Sequence, residues 1–139
     1  QSLRMDRTHP GTLGNYARFL AQVRNDLATA LSLFDEALTL APNQVQNLTN
    51  SAQVLKQLGR LDEAEERLQC AVASQSKSAM ATNNYANFLW RVRSNPAGAK
   101  ALYLRGLEHN PNDRLLRRNY AVFLSKNKGI WTGVGVRTT

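Results

Sequence analysis

The hexapeptide Asn15-Tyr16-Ala17-Arg18-Phe19-Leu20 returns three times along the chain. It recurs as Asn84-Tyr85-Ala86-Asn87-Phe88-Leu89, as Asn119-Tyr120-Ala121-Val122-Phe123-Leu124, and in weaker form as Asn50-Ser51-Ala52-Gln53-Val54-Leu55. The alanines at 17, 52, 86 and 121 are therefore spaced by 35, 34 and 35 residues. A fixed period of that length restricts a chain to arrays of small supersecondary units, each leaving an apolar face for the next to cover. A second block follows each of the first three copies. Ala30, Phe34, Ala37 and Pro42 match Ala99, Tyr103, Gly106 and Pro111, with Ala64, Leu68, Ala71 and Ser76 in the middle copy.

Each period reads as two amphipathic helices. Leu13, Tyr16, Ala17, Leu20 and Val23 keep the helical spacing of three and four, and after a short turn Ala30, Leu33, Phe34, Ala37 and Leu38 keep it again. Gly59 breaks the middle pair, Asn95-Pro96 supplies a cap and a first-turn proline, and Pro42 and Pro111 end second helices. The small residues let neighbouring helices approach, while Tyr16, Leu20 and Phe34 fill the space between them. The spacing predicts helices near 12–24, 27–41, 44–58, 61–75, 78–92, 96–109 and 113–127.

This period, with small, small, aromatic, small and proline residues at these offsets, resembles the tetratricopeptide repeat over about residues 12–128. The first and third copies each carry one extra residue before the second helix. The resemblance implies an all-α fold, an α-solenoid of antiparallel helix pairs with about three and a half repeats (12–42, 43–76, 77–111 and the half repeat 112–128). The half-a-tetratricopeptide repeat of RNA-processing factors is the second family to compare. Tyr85-Ala86-Asn87-Phe88 and residues 99–105 are similar to it, but Leu20, Leu89 and Leu124 stand where that family tends to place an acidic residue.

The two ends read differently. Shifted by one period, Leu3 and Met5 fall on Leu38 and Leu40, so residues 1–11 are expected to be the tail of a preceding repeat in a longer protein. Residues 129–139, with three glycines and β-branched residues, are expected to form a non-helical, extended tail. Ile130 and Trp131 are its candidates for covering the last apolar face or for docking on a partner.

In the tetratricopeptide family the first helices line the concave side of a superhelix. The resemblance therefore puts Asn15, Asn50, Asn84 and Asn119, each two residues before a key alanine, on a face turned away from the packing side. Phe19, Val54, Phe88 and Phe123 follow four residues on, and Gln22, Gln57, Arg91 and Lys126 seven on. An amide both donates and accepts, so a column of asparagines can hold a peptide backbone without reading its side chains. On this reading Asn15, Asn50, Asn84 and Asn119 grip an extended partner and Phe19, Phe88 and Phe123 take its apolar side chains. Arg91 and Lys126 would bias it towards acidic residues. The alternative is that asparagine at this position satisfies a neighbouring helix backbone. Chaperone-binding members hold a terminal carboxylate with cations on this face, but the positions four before the asparagines are Gly11, Gln46, Met80 and Leu115, none of them charged.

Charge adds a second possibility. Residues 1–90 carry eight basic and eight acidic side chains, so the whole net charge of +8 lies in residues 91–139, where ten basic residues face only Glu108 and Asp113. An acidic protein segment or RNA is the partner such an excess attracts, and solubility is the simpler use. The leading expectation is a protein-binding scaffold or adaptor, with an RNA-associated helical-repeat factor as the alternative.

Nothing points to catalysis. His9 and His109 are lone, and Asp35, Glu36, Asp62, Glu63, Glu65 and Glu66 read as solvated helix charge. Neither a metal nor any other cofactor is expected, nor insertion in a membrane, since no apolar run approaches a span. The single cysteine, Cys70, reads as a small buried hydrophobe. An intracellular setting, with no compartment assigned, follows from having one cysteine and no signal-like start.

Overall fold

The computed structural model describes residues 9–128, and these form seven α-helices. They are α1 (Pro10–Gln22), α2 (Leu27–Leu40), α3 (Val45–Gln57), α4 (Leu61–Ser74), α5 (Ala79–Arg91), α6 (Pro96–His109) and α7 (Arg114–Lys126). Every helix ends within two residues of its predicted bounds, and the described residues contain no strand. This is the all-α helical-repeat fold of the solenoid class. The expectations for Leu3–Arg7 and for the tail with Ile130 and Trp131 lie outside the described residues.

The chain divides into two compact units, residues 1–76 with α1–α4 and residues 77–139 with α5–α7. In unit 1, α1 packs on α2 and α3 on α4, and the first pair stacks on α3. In unit 2, α5 packs on α6, and α7 leans on both. The short turns oblige partners to run antiparallel. Ala17, Ala30, Ala37, Ala64, Ala71, Ala86 and Ala99 are all fully buried, as close helix approach requires. Phe34 and Tyr103 are buried completely at matching positions of the two units. Each contributes about 1.5–3 kcal/mol by leaving water. Ala121, the fourth key alanine, is exposed, because no second helix follows α7 among the described residues.

Caps set the helix starts. Side-chain oxygens of Asp26, Ser78, Asn95 and Asp113 accept from the backbone N–H of Thr29, Ala81, Gly98 and Leu116 at 3.2, 3.2, 3.0 and 2.9 Å. α1, α3 and α4 have no such cap; at the start of α4, Arg60 instead forms a two-pronged pair with Glu63 at 2.6 and 2.9 Å. Asp35 and Arg67 bridge α2 and α4 at 2.6 Å. Cys70 is exposed rather than buried, because Leu68 and Ala71 take the inward face of α4 and Cys70 falls beside it.

The extra residue of the first and third repeats has a definite place. Asn25 and Ser94 have φ of 54° and 56°, whereas the shorter middle turn uses Gly59 at 81°. A left-handed backbone is costly for a residue with a Cβ, less so for asparagine than for serine. Ser94→Gly should therefore raise the stability of unit 2 by about 0.5–1 kcal/mol, read as a higher urea midpoint. An unchanged or lower midpoint would mean that this turn carries no such cost.

Candidate partner-binding site

In unit 1, the first helices α1 and α3 lie side by side and leave a pocket of about 360 Å3 between them. Arg18, Ala21 and Gln22 come from α1, Asn25 from the turn, Phe34 from α2, and Asn50, Gln53, Val54 and Gln57 from α3. Phe34 and Val54 are buried and form an apolar floor, and five amides and one guanidinium form the walls. Asn50 is half-buried and Asn15, on the same face of α1, is exposed. The helix geometry explains the polar wall. Residues three after each asparagine, Arg18 and Gln53, lie about 60° to one side of it. Those four after, Phe19 and Val54, lie about 40° to the other.

That second direction is where the expectation fails. Phe123 is 0% exposed and Phe88 only 5%, whereas Phe19 is 42% exposed. Val54 and Phe123 belong to α3 and α7, which follow a helix pair in their own unit and turn these side chains back onto it. Phe19 sits on the first described helix and stays open, stacked on Tyr16 at 6.2 Å with the Arg24 guanidinium 6.0 Å from its ring. Phe88 and Phe123 are thus core residues as they stand, not receptors for a partner's side chains.

In unit 2, Phe123 closes an aromatic cluster with Trp90, Tyr103 and Tyr120, its ring 5.5, 5.4 and 6.1 Å from theirs. The Tyr103 hydroxyl donates to Asn87 Oδ1 and accepts from Trp90 Nε1 at 3.0 Å. Burial pushes the Tyr103 phenol above its ordinary range, against the opposing pull of the Trp90 hydrogen bond and the Arg91 charge. Burial also raises Tyr120. Both stay neutral near pH 7 and serve packing.

The asparagines of unit 2 are more committed than those of unit 1. Asn84 Nδ2 donates to the Met80 carbonyl at 2.8 Å, and Asn119 Nδ2 donates to Asn83 Oδ1 at 2.7 Å. The second bond ties α5 to α7. Arg91 and Lys126 are exposed, Arg91 with its guanidinium 4.4 Å from the Trp90 ring centre. Arg18, Asn25 and Gln53 line the pocket of unit 1 without belonging to the asparagine column. The signal was present, since the position three after the asparagine is polar in each of the first three copies.

A larger hollow, about 720 Å3, lies against α2 and α4. Its lining is mainly apolar, and its one cation, Arg67, is already neutralised by Asp35. It offers a partner less than the amide pocket. Among the described residues no group of three or more His, Cys, Asp or Glu is placed to hold a metal ion, and no helix is long and apolar enough to cross a membrane.

Comparison with known proteins follows the same lines. Residues 24–82 match the tetratricopeptide repeat family. Human tetratricopeptide repeat protein 7B is 32% identical over 89 residues, which is 64% of this chain and 10% of that protein. The chain thus spans about a tenth of the length of this curated relative. Among solved structures, the tetratricopeptide domain of Sgt2 from Aspergillus fumigatus superposes with a TM-score of 0.74 at 20% identity, covering 91% of this chain and 86% of that one. The first such domain of Spaghetti (RPAP3), solved with an HSP90 peptide, gives 0.70 at 18% identity, covering 90% and 98%. PilW, a type IV pilus biogenesis factor, gives 0.76 at 21% identity over 86% and 55%. At these identities the likeness is one of fold.

Proposed function

This chain belongs to the tetratricopeptide repeat family, and on that premise we propose that it is a scaffold or adaptor holding an extended segment of another protein against its first helices. The observation that carries the reading is the amide-walled pocket between α1 and α3. It has an apolar floor for a side chain and amides that match a peptide backbone in both hydrogen-bonding senses. Asn15 and Phe19 extend the same reading along α1. Asn84 and Asn119 contribute in unit 2 by exchanging the bonds they already make, and Arg91 and Lys126 favour acidic residues in the bound segment.

The choice of test follows from the bonding. Asn119→Ala would break the α5–α7 tie as well as any partner contact, so it mixes stability with binding. Asn50→Ala with Gln57→Ala does not, because neither side chain makes a hydrogen bond within the described residues. A partner captured from native extract should bind this double variant about thirtyfold more weakly, at about 1 kcal/mol for each of the two lost contacts, with thermal unfolding unchanged. Equal affinity for variant and wild type would remove the pocket from the binding reaction.

A second reading rests on α7, where Arg114, Arg117 and Arg118 are exposed and form no ion pair among the described residues. Such a set suits phosphate as well as carboxylate. Retention of RNA that falls steeply with salt would move the reading towards nucleic acid.

A further inference from the structure

We infer that the pocket between α1 and α3 selects one acidic side chain, aspartate or glutamate, within the segment it holds. This rests on reading that face as a binding site and adds the chemistry of the residue it accepts. Four arginines lie among the described residues of unit 1, and three of them are engaged. Arg60 pairs with Glu63, Arg67 with Asp35, and Arg24 lies over the Phe19 ring. Arg18 alone makes no hydrogen bond, ion pair or ring contact among the described residues, and it lines the pocket. No acidic side chain lines that pocket with it.

The remaining wall consists of Gln22, Asn25, Asn50, Gln53 and Gln57. A carboxylate accepts at two oxygens, each with room for two donors, so the Arg18 fork leaves places for amide N–H groups around it. The apolar floor of Phe34 and Val54 keeps water from one side and strengthens the charge-assisted bonds. Charge balance decides between anions. One guanidinium neutralises one carboxylate, whereas a phosphorylated residue would bring nearly twice the charge to a site with a single cation. The pocket volume of about 360 Å3 lies at the low end for ligand sites, the scale of a side chain rather than a folded surface.

The left-handed residue of the α1–α2 turn takes part in this. Asn25 occupies the left-handed position of the α1–α2 turn and stands at the pocket wall. The α3–α4 turn is one residue shorter and carries Gly59 at its left-handed position, which has no side chain to offer. The side chain at this left-handed position therefore completes a wall that glycine there would leave open.

The test selects binders of the full chain from short random peptides displayed with their C-terminal ends fused, so that no free terminal carboxylate is present. Peptides that bind should share an aspartate or glutamate at one position. Exchanging it for asparagine or glutamine should weaken binding about tenfold or more. Arg18→Gln, at an exposed position that should not disturb the fold, should cause the same loss. The two changes together should cost no more than either alone, the mark of a direct pair. If peptides are selected but share no acidic residue, or bind Arg18→Gln as tightly as wild type, the acidic pocket is wrong and the scaffold reading stands. If a free C-terminal peptide binds through its terminus alone, the side-chain assignment is likewise overturned. If no peptide is selected, both readings fall together.

Discussion

Replacing Phe123 by alanine should cost about 3–5 kcal/mol of stability, the usual penalty for emptying a fully buried aromatic site. Its ring is completely buried, with Trp90, Tyr103 and Tyr120 against it, so the cavity would open inside unit 2. Denaturant unfolding followed by Trp90 fluorescence and by helical circular dichroism should show an early transition. Phe19→Ala is the matched comparison. It removes the same group from the equivalent position of the first repeat, where the ring is 42% exposed, and should cost less than about 1 kcal/mol. Should Phe123→Ala unfold like wild type and lose only partner binding, the ring would belong to a recognition surface and the packing described above would be wrong.

A single added methyl group should damage unit 2 almost as much. Gly106 lies on α6 where a Cβ would overlap Thr82 Oγ1 and stand 2.8 Å from Leu116 Cδ2. Thr82 has little freedom to yield. It is fully buried, and its hydroxyl donates to the Ser78 and Ala79 carbonyls at 3.1 and 3.2 Å. Gly106→Ala should therefore destabilise unit 2 by about 1–3 kcal/mol through overpacking. That loss exceeds the gain of up to about 1 kcal/mol that alanine brings to a helix. Gly11→Ala in α1 meets nothing within 4 Å and should be neutral or stabilising. A Gly106→Ala protein as stable as the Gly11→Ala protein would mean that α5, α6 and α7 are not this tightly nested.

Much of this was legible in the chain. Helix positions followed from periodicity and punctuation, because the apolar stripes agree on the same boundaries as the caps and breakers where these occur. Ala37 and Ala71 marked the position at which Gly106 stands, though only contact with Thr82 and Leu116 shows why the third copy has no methyl there. The proposed binding face was half legible. The asparagine column falls on the side of α1 and α3 that carries the amide-walled pocket, yet grouping it with the phenylalanines put it next to a packing direction instead of an open one. Asparagine to phenylalanine is four residues, asparagine to Arg18 or Gln53 is three, and the two steps diverge around the helix by about 100°. Which of them meets solvent depends on where the neighbouring pair stacks, a tertiary fact. Cys70 failed for a like reason. Ala71 beside it is buried and it is not, since burial on a helix follows angle rather than adjacency.

The left-handed turns at Asn25, Gly59 and Ser94 also bear on how such a chain tolerates changes in length. A residue inserted within a helix rotates everything beyond it by about 100° and would carry an inward stripe out to solvent. Inserted at the turn, the same residue lengthens the corner, which keeps one left-handed position in its longer and its shorter form alike, and both flanking helices keep their facing. Repeats of 35 and 34 residues coexist here on that basis. These three corners work as expansion joints: places where the chain gains or sheds a residue without disturbing the register of the helices on either side.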